Sequence, residues 1–263
     1  MPLSSPIAIG ATAEVYSWND GQVLKLFNPG VSRSSVEYEA NLTRIVYATG
    51  LPVPAAGEII EIDGRFGLVY ERIEGVSMLE ALMKQPWKFS VYAHQLAELQ
   101  ADMHKRRVPE MPSQVDRLRR KISDAELLPQ ELRQAALKAL ERMPEEDTLC
   151  HGDFHPGNII LTSRGPVIID WLDATRGSPL VDVARSVLLM GGGQLPPDTP
   201  HRWLVSIWRR WFTQVYLWRY FQLRHGDRQE LDKWVSVNAA ARLSEEITGD
   251  DERLLSIAQR LVS

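Results

Sequence analysis

The sequence predicts an α+β protein with a small antiparallel N-terminal part and a larger, mainly helical C-terminal part. Short apolar stretches separated by turn signals fill residues 7–73, and an amphipathic helical pattern begins at Ser77. The chain has 263 residues, of which 44% are hydrophobic and 24% charged, so it can form one large or two small globular units. We expect the two parts to span residues 1–74 and 75–263.

The N-terminal part is expected to be an antiparallel meander with one helix inserted. Its five predicted strands cover residues 7–9, 14–18, 22–27, 57–62 and 66–72. The segments Asn19-Asp20-Gly21 and Asp63-Gly64 are typical of tight hairpin turns. The helix is predicted from Ser35 to Thr49, and Ser34 with Glu37 would form a capping box at its start.

Lys25 and Glu39 form a predicted ion pair. Lys25 alternates with Val23 and Phe27 in a strand, so its ammonium either reaches solvent at an edge or meets a buried anion. Glu39 lies on the apolar face of the predicted helix, whereas Glu37 lies on the solvated face. Because a carboxylate in an apolar stripe needs a cation, we pair Glu39 with Lys25 and assign Glu37 to capping.

The strongest chemical signal lies in two neighbouring segments. Residues 150–160 read CHGDFHPGNII, and residues 167–171 read VIIDW. If these segments form a hairpin whose turn is centred on Arg164, Asn158 stands directly opposite Asp170, about 5 Å away. Amide and carboxylate oxygens suit Mg²⁺, which proteins often bind together with phosphates. The sequence therefore predicts that Asn158 and Asp170 hold a magnesium ion.

The polar residues of these segments have the spacing found in kinases. His151, Asp153 and Asn158 follow the pattern H-x-D-x-x-x-x-N, and a strand ending in Asp170 comes next. Asp and Asn also form local hydrogen bonds in turns, but that explanation does not account for all of them at this spacing. Asp153 is then the candidate catalytic residue, which accepts the hydrogen bond and finally the proton of an acceptor hydroxyl.

The stretch HGDFHPGNII…VIIDWLDATRGSPLVDVAR, residues 151–185, resembles the aminoglycoside phosphotransferase and choline kinase-like family. The resemblance extends over most of the chain, although the C-terminal helices match only in general character. It implies a bilobal protein-kinase-like fold, ATP or GTP with Mg²⁺ as cofactors, and phosphorylation of a hydroxyl group on a small molecule. A nucleotide-binding regulatory module of the same fold, without turnover, is the alternative.

The resemblance also implies roles in nucleotide binding. Lys25, oriented by Glu39, would hold the α and β phosphates. The loop at residues 10–13 would bring backbone N–H groups near phosphate, which makes Gly10 and Thr12 candidates, although one glycine between strands is also simply a turn.

Further implied roles concern the linker and the catalytic loop. The Glu71 carbonyl and the Ile73 amide would contact the nucleotide base. Asp182 would hydrogen-bond the catalytic loop, or it would be an ordinary first-turn aspartate. His151 would order the loop, and His155 would brace the turn or contact phosphate.

The C-terminal part is expected to consist of helices. Two of them are predicted at Tyr92–Arg106 and Gln130–Met143, and residues 199–263 look helical throughout. His94 and His104 are expected at the surface. The charged segment 117–121 is expected to be a solvated face. Packing in the core and between helices is the expected role of the C-terminal tryptophans, and lining an acceptor pocket is the alternative; they are Trp203, Trp208, Trp211, Trp218 and Trp234.

The charge, cysteine content and hydropathy of the chain limit the binding partners and the compartment that we expect. The net charge of −4 disfavours nucleic acid. The single cysteine, Cys150, permits no internal disulfide and fits the reducing cytoplasm. Arginines interrupt the apolar segment Trp203–Leu223, so no membrane association is expected. The acceptor stays open among aminoglycosides, choline-like amines, sugars, amino-acid-type alcohols and macrolides, and the oligomeric state is not encoded in any recognisable pattern.

Overall fold

A computed structural model describes residues 3, 5–10, 12–192, 202–245 and 249–262. The chain divides into two compact units. The first comprises residues 1–81 and 157–172, and the second comprises residues 82–156 and 173–263. The boundary that we expected between residues 74 and 75 falls inside the first unit.

Strands and helices are mixed, as the predicted α+β class requires. The strands are β1 (Ala8–Ile9), β2 (Ala13–Ser17), β3 (Gln22–Phe27), β4 (Ala56–Ile62), β5 (Arg65–Glu71), β6 (Val76–Ser77), β7 (Thr148–Cys150), β8 (Ile159–Thr162), β9 (Gly165–Ile168) and β10 (Thr175–Gly177). The helices are α1 (Arg33–Ala48), α2 (Met78–Lys84), α3 (Phe89–Met103), α4 (Gln114–Asp124), α5 (Gln130–Leu140), α6 (Pro179–Gly191), α7 (Arg202–Leu223), α8 (Arg228–Arg242) and α9 (Asp251–Ala258).

The first unit is built on a five-stranded antiparallel sheet with the order β1-β2-β3-β5-β4. The five strands match the predicted ones to within a residue or two. The expected meander was wrong in one respect, since α1 connects β3 to the edge strand β4 and β5 then returns between them. A second sheet in this unit has the order β6-β8-β9.

Helix α1 begins earlier than the sequence suggested. Its N-cap is Ser32, whose hydroxyl accepts a hydrogen bond from the Ser35 N–H at 3.2 Å. The predicted capping box of Ser34 and Glu37 was therefore wrong, because Ser34 already lies within the first turn. Glu37 instead forms an exposed ion pair with Arg33, one turn away, at 2.9 Å.

The hairpin of β8 and β9 is present, but its register differs from the prediction by one residue. We expected a turn centred on Arg164, whereas the strands are joined by a two-residue loop, residues 163–164. The Ile169 N–H consequently donates to the Asn158 carbonyl at 3.0 Å. Asn158 therefore stands opposite Ile169, and Asp170 follows one residue later.

The second unit contains the predicted helices at α3 and α5, each ending about three residues before the expected C-terminus. The tryptophans behave unequally: Trp234 is buried on α8, whereas Trp203, Trp211 and Trp218 on α7 are more than half exposed. The core-packing prediction was therefore wrong for these three, but Trp218 does make the predicted interhelix contact, since it stacks on His94 of α3 with 5.7 Å between the ring centroids. Residues 199–201, 246–248 and 263, which we expected to be helical, lie outside the described residues. None of the described helices combines the length and hydropathy needed to cross a bilayer.

Candidate active site

The predicted ion pair is present in the first unit. Nζ of Lys25 on β3 lies 2.7 Å from Oε1 of Glu39 on α1. Glu39 is only 1% exposed, and its same oxygen accepts a hydrogen bond from the Tyr70 hydroxyl at 2.8 Å. No sequence pattern points to Tyr70, because its contact with Glu39 depends on β5 lying beside β3. The carboxylate of Glu39 is thus held from two strands.

Asp170 is the second anion beside Lys25. Its Oδ1 lies 3.5 Å from Nζ of Lys25, and its side chain is 47% exposed. Burial alone would lower the pKa of Lys25, but the charges of Asp170 and Glu39 outweigh this effect and raise it above its ordinary value. Lys25 is therefore a firmly protonated cation.

The backbone at Asp170 has an uncommon conformation. Its φ angle is +64°, in the left-handed region that aspartate tolerates better than most residues. The next residue, Trp171, is 1% exposed, and its indole N–H donates to the Ile168 carbonyl at 3.2 Å. Trp171 thus anchors the turn that follows β9, and the turn leaves the Asp170 carboxylate at the surface.

The donors available for a metal in the first unit are few. Within the described ranges, no cluster of three or more His, Cys, Asp and Glu side chains could hold a metal ion by itself. Asp170 would supply a carboxylate and Asn158 an amide, and phosphate oxygens would have to complete the coordination shell. This donor set fits Mg²⁺, which is commonly bound by few protein groups plus phosphates.

The remaining nucleotide-site candidates lie at the ends of strands. Gly10 and Thr12 are exposed between β1 and β2, and the Gly10 N–H donates to the Ala13 carbonyl at 2.8 Å. That N–H is therefore engaged within the loop. Glu71 ends β5, and Ile73 follows in an irregular segment. Their roles stay predictions.

The catalytic-loop candidates lie in the second unit around Gly152. The Gly152 N–H donates to Oδ1 of Asp182 at 2.8 Å, and its carbonyl accepts from Nε of Arg185 at 3.1 Å. Its φ is +78°, and a Cβ at this position would come 2.4 Å from the Asp173 carbonyl oxygen. Only glycine fits here, and it fixes the backbone that leads into Asp153.

Asp182 belongs to a buried hydrogen-bond network. Its Oδ2 accepts from Nε2 of Gln100 at 2.8 Å and lies 3.1 Å from Nε2 of His104. Nδ1 of His104 lies 2.7 Å from the Tyr220 hydroxyl. The expectation that His104 is at the surface was wrong, since it is 1% exposed. Burial lowers the pKa of His104 below its ordinary value despite the neighbouring Asp182 charge. A neutral imidazole can donate from Nε2 to Asp182 and accept at Nδ1 from Tyr220.

Asp153 is surrounded by potential cations. Nε2 of His155 lies 3.5 Å from Oδ2 of Asp153, and Nη2 of Arg185 lies 4.0 Å from Oδ1. The Asp153 N–H donates to Nδ1 of the buried His151 at 3.2 Å. Burial would raise the pKa of Asp153, but the hydrogen bond to His155 and the charges of His155 and Arg185 outweigh it and hold the pKa well below its usual range. The carboxylate is therefore ionised at physiological pH.

The segment 117–121 is not simply a solvated face, contrary to expectation. Arg117 contacts Asp173, and Nζ of Lys121 lies 2.8 Å from Oε1 of Glu245. Both basic side chains are about three-quarters buried. They line a cavity together with Gly152, Asp182 and Arg185. Their spacing of four residues on α4 places both on one helix face, a pattern visible in the sequence once the helix is assigned.

The structure therefore groups the predicted residues within each unit. The first unit brings together Lys25, Glu39 and Asp170. In the second unit, His151 and His155 flank Asp153, and Asp182 binds the residue before it.

Comparison with known proteins identifies the family. A model described as the phosphotransferase enzyme family matches residues 4–234. Among curated proteins, none matches the chain.

Several solved structures share the fold. A thermostable mutant of aminoglycoside phosphotransferase APH(4)-Ia, in ternary complex with ADP and hygromycin B, is 17% identical with a TM-score of 0.67, over 99% of this chain and 93% of that one. A choline/ethanolamine kinase family protein from Mesorhizobium loti is 16% identical with a TM-score of 0.62, over 100% and 88%. The amicoumacin kinase hAmiN, in complex with AMP-PNP, Ca²⁺ and Ami, is 14% identical with a TM-score of 0.61, over 97% and 86%.

These likenesses establish the fold, and the predicted protein-kinase-like architecture is confirmed. The family match spans most of the chain and includes the segment in which the motif was recognised. The chain therefore belongs to the phosphotransferase enzyme family.

Proposed function

We propose that the protein transfers the γ-phosphoryl group of ATP to a hydroxyl group of a small molecule in a Mg²⁺-dependent reaction. The observation that carries the proposal is the ion pair of Lys25 with the buried Glu39, with Asp170 at 3.5 Å from Lys25. A strand lysine oriented by a helix glutamate is the phosphate-binding arrangement of kinases. The same chain supplies Asp153 in the spacing of a kinase catalytic loop.

Lys25 binds the α and β phosphates, and Glu39 fixes its position. Asn158 and Asp170 would hold Mg²⁺, which neutralises charge on the phosphate oxygens when bound. The Glu71 carbonyl and the Ile73 amide contact the base, and the Gly10–Ala13 loop approaches the phosphates.

Asp153 orients the acceptor hydroxyl by accepting its hydrogen bond and receives its proton as the new P–O bond forms. Its pKa lies well below the usual range, so it is a weak base. A weak base is sufficient when the transition state is loose, because the proton then leaves late. Positioning and charge stabilisation supply most of the rate enhancement. His151 orders the loop, and His155 braces the carboxylate.

The acceptor is a small hydroxyl compound. Two of the similar structures contain hygromycin B or Ami, and a third is described as choline/ethanolamine kinase-like. This range supports the acceptor class without selecting a member. The buried Cys150 thiol fits a reducing compartment, and we place the protein in the cytoplasm.

The test is acceptor-dependent ADP formation. The protein is incubated with ATP, Mg²⁺ and a library of aminoglycosides, amino alcohols, sugars and macrolides, and ADP is measured with and without each compound. We expect ADP only with particular acceptors and none with Asp153→Asn. Nucleotide binding without any ADP would indicate a regulatory module, and phosphate release without an acceptor would indicate a hydrolase; either result contradicts the proposal.

A further inference from the structure

Arg185 on α6 connects the catalytic loop to the C-terminal part of the second unit. It is 8% exposed. Its Nε donates to the Gly152 carbonyl at 3.1 Å, and its Nη2 donates to Oε1 of Glu245 at 2.8 Å. The same Nη2 lies 4.0 Å from Oδ1 of Asp153. One guanidinium therefore has two carboxylates within reach, and it is bonded to the one that lies far from the loop in sequence.

Glu245 is the carboxylate that several cations share. Besides Arg185, Nζ of Lys121 lies at 2.8 Å and Nη1 of Arg242 at 3.8 Å from its oxygens. Burial would raise the pKa of Glu245, but the charges of Arg185 and Lys121 hold it below its ordinary value. Glu245 is thus ionised at neutral pH and can compete for the guanidinium.

Loss of the Glu245 charge would leave Arg185 with Asp153 as its nearest carboxylate. A charge-assisted hydrogen bond closes to about 2.8 Å, so Nη2 would have to move by only about 1 Å toward Asp153. That bond would take one lone pair of Oδ1, compete with the acceptor hydroxyl for the Asp153 carboxylate and loosen the hold of Arg185 on the Gly152 carbonyl.

We infer that Glu245 is a positioning residue for phosphoryl transfer, which holds Arg185 against the Gly152 carbonyl and away from the Asp153 carboxylate. The inference rests on the proposed function, because it assumes that Asp153 receives the acceptor proton. Arg185 could have been noticed from the sequence, since it follows Asp182 by three residues and shares its helix face. No sequence pattern points to Glu245.

The experiment compares Glu245→Gln with the wild-type protein. We expect kcat to fall by about ten- to 10²-fold, as for a misplacement near 1 Å, while KM for ATP stays within about twofold because Glu245 is not among the nucleotide-site residues. Amide hydrogen exchange at residues 151–154 should become faster. Glu245→Asp should recover part of the loss. The matched control is Glu98→Gln, which removes an exposed inter-helix ion pair with Arg219 and should change neither readout.

A double-mutant cycle with Arg185→Met tests whether Glu245 acts through Arg185. If Glu245 acts through Arg185, Glu245→Gln adds no further loss of kcat in the Arg185→Met background. Equal losses in both backgrounds, or wild-type kcat and wild-type exchange in Glu245→Gln, would overturn the inference. A wild-type protein without acceptor-dependent ADP would instead contradict the proposed function, and the exchange measurement would still report on the link from Glu245 to Gly152.

Discussion

The two units hold their charged side chains in different ways. In the first unit, Lys25 is bonded to Glu39 and lies near Asp170, whose carboxylate is half exposed. In the second unit, Asp182 is fully enclosed, and each of its oxygens has a protein hydrogen-bond partner. The first arrangement leaves the Asp170 carboxylate able to exchange partners, whereas in the second Asp182 fixes the backbone at Gly152. Replacement of Asp170 should therefore affect the chemistry directly, whereas replacement of residues around Asp182 should act through the geometry of the loop.

Within the first unit, replacement of Asp170 should give the largest effect. Asp170→Ala removes the exposed carboxylate beside Lys25, and we expect turnover to fall by about 10³-fold because charge stabilisation of the phosphates is lost. The measurement is ADP formation at saturating acceptor over a range of Mg²⁺ concentrations. Asp63→Ala is the matched control, since Asp63 is the other described non-glycine residue with positive φ but lies in a hairpin turn. An active Asp170→Ala protein at ordinary Mg²⁺ would refute the metal role.

A methyl group at Gly152 should destabilise the second unit. In Gly152→Ala the new Cβ would meet the Asp173 carbonyl oxygen at 2.4 Å with φ at +78°. We expect the free energy of unfolding to fall by about 2–4 kcal/mol, since strain and overpacking add. Gly21→Ala has a similar φ of +68° but open space around it, so it should cost only about 1 kcal/mol. Equal losses in denaturant titrations would show that the close approach does not matter.

Nucleotide binding should tolerate removal of the charge in the Lys25–Glu39 pair comparatively well. Glu39→Gln keeps a hydrogen-bond acceptor but removes the charge, and Asp170 still lies near Lys25. We expect KM for ATP to rise by about tenfold, corresponding to about 1.4 kcal/mol. Glu37→Gln, on the exposed face of the same helix, should leave KM unchanged. A larger effect at Glu37 than at Glu39 would contradict the assignment made from helix periodicity.

The smallest expected effect is a pH dependence of stability from His104. Its pKa is lowered in the folded protein, so at pH values below about 6.5 the unfolded chain binds a proton that the folded protein does not. Stability should therefore decline as the pH falls from 7.5 to 5.5. His104→Gln should show a shallower decline in denaturant titrations at the two pH values. Identical slopes for both proteins would argue against a neutral buried imidazole.

Sequence reasoning succeeded where the periodicity of a single strand or helix determined the direction of a side chain. The alternation around Lys25 and the helical face around Glu39 were sufficient to pair them, because each pattern fixes a side-chain direction. The hairpin at β8 and β9 was also found. Its register was not, because the turn material Ser163-Arg164-Gly165 fits both a two-residue and a three-residue loop, and only the observed pairing distinguishes them.

The same reasoning failed where the partner lies far along the chain. His104 sits in a helical pattern that looks solvated, and its burial depends on Asp182 and Tyr220, which come from α6 and α7. The role of Glu245 likewise becomes apparent only from its ion pairs with Arg185 and Lys121. A charged or polar residue that is considered alone is expected at the surface. Only its tertiary contacts show that it is buried.

The placement of the β8–β9 hairpin in the first unit has a consequence for synthesis on the ribosome. Strand β6 pairs with β8, with Val76 opposite Leu161, so the sheet that contains β6 cannot close until the hairpin has been translated. The unit that starts first is therefore completed late, after residues 82–156 of the other unit have already emerged. A nascent chain stalled before residue 157 would lack the partner strand of β6, so the first unit could not be completed until the hairpin had emerged.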